Sequence, residues 1–204
     1  MKIVLYDPLY SKIGHYERYT NYIAELVCAI DAVKEVVYYT EMPDFEWSGK
    51  KSKKLKVERV ESKMHSFQEL SIKVDGLQRI RLGFNSFLHY LKILKSIEKE
   101  NADKVIFLSQ GIFSFWMVLS MVGLKYSTSI ISIKWLFENK GYRNVLKKLF
   151  EKYLKKADAV FFTEQMYVNT TANLKLKNSF VLPDRYLDVN LSRPKQLVSR
   201  KEKI

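Results

Sequence analysis

The stretch Met1 to Ile30, MKIVLYDPLYSKIGHYERYTNYIAELVCAI, governs how the rest of the chain is read. Ile3, Val4, Leu5 and Tyr6 form an unbroken apolar run of β-preferring types, the pattern of a parallel strand covered on both faces. Pro8 stops that strand. Beyond it, Tyr16, Tyr19, Ile23, Leu26, Val27 and Ile30 recur at helical spacing and gather on one helix face. The helix is expected to begin between Gly14 and Tyr16. Unpaired backbone N–H groups and the positive end of the helix dipole would lie there, next to an imidazole. Gly14, His15 and Tyr16 are therefore expected at a site suited to a phosphate-bearing substrate.

The same alternation continues to the end of the chain. Glu35 to Thr40 (EVVYYT) reads as a second strand, and Leu55, Val57 and Val60 suggest a short third one with a polar outer face, placed at a sheet edge. Leu77, Ile80, Phe84, Phe87, Leu88, Leu91, Leu94 and Ile97 repeat at three and four, which predicts a long amphipathic helix from about Gln78 to Glu98. Its opposite face carries Arg79, Arg81, Lys92, Lys95 and Lys99. Strands are expected at 104–109, 129–136, 159–163 and 179–182, and helices at 113–122, 142–156 and 165–174. Strand and helix alternation at this spacing requires crossover connections. The expected fold is α/β, a Rossmann-like three-layer α/β/α domain with a mainly parallel sheet. Ligands in such sheets bind outside the carboxyl ends of the strands, so the loops to watch start at Asp7, Gln110, Lys134, Glu164 and Pro183.

Composition narrows the function classes. The 204 residues are 47% hydrophobic, enough for one sizeable core, and 35 Lys+Arg against 22 Asp+Glu give a net charge of +13. That balance favours phosphorylated ligands, anionic lipid or nucleic acid as partners. The single cysteine, Cys28, excludes an internal disulfide and fits a cytoplasmic setting. No apolar window approaches the roughly 20 residues needed to cross a bilayer, and the amino terminus lacks the apolar core of a signal peptide. The seven glycines lie at 14, 49, 76, 83, 111, 123 and 141, so neither G-x-G-x-x-G nor a P-loop is present. No His, Cys or carboxylate grouping has metal-ligand spacing, and no metal or cofactor is expected.

Three pieces of sequence, taken in order, resemble the N-terminal domain of GT-B glycosyltransferases, in particular family 4 (glycosyl transferases group 1). The opening strand with its Gly14-His15 loop is similar to that family's glycine-containing loop. The segment 157–164 (ADAVFFTE) is similar to its "ADAVIVTSE" strand, and 179–188 (SFVLPDRYLD) to its "VIPNGVD" segment. The order of the pieces spans nearly the whole chain. His15 replaces the second glycine of the loop, and Lys134-Trp135 stands where the family often has a histidine. The resemblance implies that 1–189 is an acceptor-side domain; low hydrophobicity with five Lys/Arg and one Glu makes 190–204 a basic linker or disordered tail. The resemblance also implies that a C-terminal domain, or a partner chain, binds the nucleotide-sugar donor.

On that resemblance the expected activity is retaining transfer of a sugar from a nucleotide-sugar donor to a cell-surface glycan or lipid-linked acceptor, in polysaccharide biosynthesis. The isolated chain is expected to be inactive. His15 is the catalytic candidate, and Gly14, Tyr16, Lys134, Glu138, Glu164 and Asp184 are the substrate- or phosphate-binding candidates. His15 also reads as a polar loop residue at a helix start, and His65 and His89 read as structural or solvated. The helix at 113–122 reads as core or as a hydrophobic acceptor groove. The basic segments 50–63 and 142–156, with Arg79 and Arg81, read either as a surface for anionic lipid at the inner face of the cell membrane or as a solvated charged face. Nucleic acid is not an expected partner, because the aromatic residues occupy core-type positions. The alternative function is a non-catalytic binding or scaffold module derived from such an enzyme.

Overall fold

Strands and helices alternate along the chain as the sequence predicts. The computed structural model describes residues 1–8, 15–41, 47, 52–60, 76–130 and 143–182. In chain order the elements are β1 (Lys2–Tyr6), α1 (His15–Ala29), β2 (Glu35–Thr40), β3 (Leu55–Arg59), α2 (Gly76–Lys99), β4 (Lys104–Phe107), α3 (Phe113–Met121), β5 (Ser127–Ile130), α4 (Arg143–Lys156), β6 (Ala159–Phe162), α5 (Gln165–Thr171) and β7 (Ser179–Val181). A single 3₁₀ turn, Ala172–Leu174, follows α5.

The strands form one seven-stranded sheet in the order β3-β2-β1-β4-β5-β6-β7, and every pairing is parallel. Parallel neighbours need helical crossovers, which place helices on both faces. The result is a Rossmann-like three-layer domain, with β3 at one edge as expected. β5 starts at Ser127, two residues earlier than the apolar pattern suggested. Thr128 and Ser129 are buried there, and Thr128 is hydrogen-bonded to the Tyr153 hydroxyl of α4. The expected continuation of that strand over 131–136 lies outside the described residues, as do residues 183–204.

Alternate residues along each strand feed two cores. Ile3, Leu5, Val36 and Tyr38 pack with Tyr19, Ile23, Ala24 and Val27 of α1. Val4, Tyr6, Val105, Phe107, Val160 and Phe162 face the other way, into a larger core with α2, α3 and α4. Phe115 lies at the centre of this second core, its ring centroid 5.0 Å from Phe107, 5.4 Å from Tyr90 and 6.3 Å from both Tyr6 and Tyr153. These are mostly edge-on contacts, the favoured geometry for aromatic quadrupoles.

Two helices are packed differently from their apolar patterns. In α2 the seam against the core is Tyr90, Ile93, Leu94 and Ile97, whereas Leu77, Ile80, Phe84 and Leu88 are exposed. In α3, Phe115, Trp116, Val118 and Leu119 are buried, but Phe113, Met117 and Met121 face solvent. The basic helix α4 is equally two-sided. Phe150, Tyr153 and Leu154 enter the core, and the Lys156 ammonium turns inward to donate to Leu119 O at 2.9 Å and to Val122 O, the free carbonyls at the end of α3. Desolvation there lowers the Lys156 pKa, with Lys152 adding to the effect. Among the described residues, no helix is long and apolar enough to cross a membrane.

Candidate functional site

The strand order fixes where a crevice must open. From β1 the chain crosses to β2 on one side, and after β3 it returns to β4 on the other side of β1. The loops leaving β1 and β4 therefore diverge, and the carboxyl ends of these two strands flank the switch point where ligands bind in open α/β sheets.

Polar residues gather at that point. Asp7 follows β1 directly and is 3% exposed; Ser109 and Gln110 follow β4, and they are buried as well. The Ser109 hydroxyl donates to Asp7 Oδ1 at 2.6 Å, bridging the two strand ends. Below it, Leu108 N–H donates to Tyr6 O at 2.9 Å, which extends the ladder one step past β4. From α2, the Tyr90 hydroxyl donates to Pro8 O at 2.9 Å. The turn into α3 needs a glycine: Gly111 has φ +68°, and a Cβ there would come within 2.3 Å of Phe115 Cδ1. The Trp116 indole N–H donates to Gln110 O, which holds the turn from the other side.

A second polar group lies next to the first, at the end of β2. The Tyr6 hydroxyl donates to Glu41 Oε1, and His89 Nε2 of α2 lies 3.0 Å from Glu41 Oε2. A carboxylate can only accept, so the proton sits on Nε2 in this pairing. Both His89 and Glu41 side chains are only 11% exposed. Burial, followed by the charge of Glu41, pushes the Tyr6 pKa well above its ordinary value. Tyr90 is raised for the same reasons, with Asp7 contributing as well. Both hydroxyls therefore stay protonated and act as donors.

Two carboxyl groups, Asp7 and Glu41, thus lie beneath the switch point, each already accepting from a hydroxyl or imidazole donor. That set suits hydroxyl groups, which donate to carboxylates and accept from O–H and N–H. A phosphate placed there would meet two carboxyl groups. The place for an anion is instead the first turn of α1, whose N-terminus lies at the carboxyl edge because α1 runs back antiparallel to β1 and β2.

The helix α1 begins at His15, so the backbone of His15 and Tyr16 forms that first turn, as the sequence predicts. Glu164 is exposed at the start of α5, beyond β6. Three strand spacings separate β6 from β1, about 14 Å, so Glu164 is not gathered with Asp7. Gly14, Lys134, Glu138 and Asp184 lie outside the described residues. Among the described residues, no group of three or more His, Cys, Asp or Glu side chains is arranged to hold a metal.

The sequence reading named Asp7 and Gln110 as loop starts but not as site residues, and it passed over Glu41 and Ser109. One signal would have found them: each is the first or second polar residue after an apolar strand. His89, which read as structural or solvated, is structural: it is bonded to a residue 48 positions away. No protein-family model matches the chain, and no curated protein matches it either.

Proposed function

We propose that the domain is the acceptor-side half of a GT-B sugar-transferring enzyme. It binds a hydroxyl-rich glycan or lipid-linked sugar, presented at the inner face of the cell membrane, in the crevice between β1 and β4. A second domain or a partner chain supplies the nucleotide-sugar donor, and transfer is retaining. The observation that carries this reading is the pairing of Asp7 with Ser109 at the switch point, beside the Tyr6, Glu41 and His89 group. Carboxyl groups with hydroxyl partners recognise an acceptor's hydroxyls, and the neighbouring N-terminus of α1 is left for the donor's phosphates. His15, at that N-terminus, is the residue assigned next to the transferred sugar.

The reading is tested by binding of soluble oligosaccharides, followed by NMR or calorimetry. Saccharide binding that Asp7→Asn weakens at least tenfold supports it. Tight binding of a nucleoside diphosphate at the Asp7 floor, with no saccharide binding, would contradict it. With a nucleotide-sugar alone, the chain is expected to show neither hydrolysis nor transfer.

A further inference from the structure

The helix α2 is longer than the sheet it packs against. Its 24 residues span about 36 Å, while the five residues of β1 span about 17 Å. The level of the sheet's carboxyl edge is marked on the helix by His89, bonded to Glu41, and by Tyr90, bonded to Pro8 O. Residues 76–88 therefore overhang that edge by roughly 20 Å. Leu77, Ile80, Phe84 and Leu88 fall at three- and four-residue steps along the overhang, and they are 82%, 72%, 61% and 46% exposed.

This stripe is not the seam that packs on the sheet. At 3.6 residues per turn it lies about 150° around the helix from Tyr90, Ile93 and Ile97. The same side of the helix is cationic: Arg81 in the overhang and Lys92 and Lys95 farther along are all exposed, and within α2 no acidic residue precedes Glu98. The neighbouring helix α3 adds a second exposed apolar row, Phe113, Met117 and Met121, at four-residue steps. Large apolar side chains at such exposure mark a docking surface. A second copy of the chain would set cationic flank against cationic flank, at +13 per chain. An anionic bilayer satisfies both features, because the apolar stripe enters the acyl boundary while the flanking cations meet the headgroups.

We infer that the overhanging half of α2 docks the protein on an anionic lipid surface through Leu77, Ile80, Phe84 and Leu88. Because the overhang and the crevice share one edge of the sheet, docking turns the crevice toward the lipid. This deepens the membrane-facing part of the proposed function, while resting on a different set of residues.

The experiment is sedimentation of the full chain with vesicles of phosphatidylcholine alone or with added phosphatidylglycerol. Binding is expected only to the anionic vesicles, weakening as salt is raised. Ile80→Ser with Phe84→Ser is expected to reduce it at least tenfold and Arg81→Glu severalfold, while Leu26→Ser, an exposed apolar residue on the opposite layer, leaves it unchanged. Equal binding by the double variant would overturn the assignment, as would failure of the unaltered chain to bind anionic vesicles. So would a dimer of the unaltered chain that the double variant converts to monomer. Oligosaccharide binding measured on the same variants separates the two claims: it is expected to survive in the double variant, and its absence in every variant would count against the crevice alone.

Discussion

The two ends of the sheet carry nearly the same side-chain arrangement in opposite settings. At the amino end Glu100 pairs with Lys2 at 2.5 Å, and it also accepts at 2.7 Å from the hydroxyl of Tyr39, the residue of β2 in register with Tyr6. At the carboxyl end the Tyr6 hydroxyl donates to Glu41, and Glu41 pairs with His89. Each is a tyrosine, a glutamate and a basic partner. At the amino end the partner is a lysine, part-exposed and permanently charged, and the neighbouring backbone is tied down by Lys2 N–H donating to Asp103. At the carboxyl end the partner is a histidine, the pair is largely buried, and a second buried pair, Asp7 with Ser109, stands next to it. Salt-bridged ends fix strands. Buried polar groups gathered at a switch point are the candidates for ligand binding proposed above.

The largest expected effect comes from removing the backing of the carboxyl end. Phe115→Ala deletes the ring that packs on Tyr6, Tyr90, Phe107 and Tyr153, and it should destabilise the fold by about 3–5 kcal/mol in a denaturant titration. Gly111→Ala comes next: it forces a Cβ into a left-handed turn and against Phe115, for roughly 2–4 kcal/mol. Tyr6→Phe leaves Glu41 short of a buried donor and should cost about 1–3 kcal/mol. Glu100→Gln, the matching change at the amino end, should cost no more than about 1 kcal/mol, since its ion pair is part-exposed. If Tyr6→Phe and Glu100→Gln proved equally mild, the contrast between the two ends would lose its energetic basis.

Tyr6, Tyr90, Tyr126 and Tyr153 are all raised above the ordinary value of 10.0, by burial first. The unfolded chain releases these protons near pH 10 while the folded chain holds them, so stability present below that pH is lost as pH climbs toward the raised values. Tyrosinate absorbance should therefore appear together with loss of far-ultraviolet circular dichroism. Tyr39, bonded to Glu100, is raised as well, by burial first and then by Glu100, but for Glu100 itself the sign reverses. Glu100 is held below its ordinary 4.5 by the hydrogen bond from Lys2 and then by that from Tyr39, so its contribution is present above that value and fades as pH falls through the lowered one. Glu100→Gln should flatten this small acid-side slope and, by removing one of the causes that raise Tyr39, reduce that residue's share of the alkaline loss.

How much of this was legible in the sequence differs by element. The run Ile3 to Tyr6 and the helix beginning at His15 were readable because both signals are local: an apolar run, a proline and helical spacing. The packed face of α2 was not. Leu77, Ile80, Phe84 and Leu88 share the spacing of Leu91 and Leu94, and the partners that select a seam, Phe107 on β4 and Phe115 on α3, are distant in sequence. Asp7 and Gln110 were legible as strand ends. The pairing of Glu41 with His89 was not, because it joins two elements through the fold and leaves no trace in spacing.

The central claim is that the carboxyl end of β1 is the binding edge and the amino end is structural. Oligosaccharide binding measured by calorimetry on Asp7→Asn and Glu100→Gln tests it most directly, with thermal melts confirming that both variants stay folded. Asn still accepts the Ser109 hydrogen bond but loses the charge that recognises a ligand hydroxyl. The account predicts at least a tenfold loss for Asp7→Asn and none for Glu100→Gln. Unchanged binding in Asp7→Asn, or equal loss in both, would contradict it.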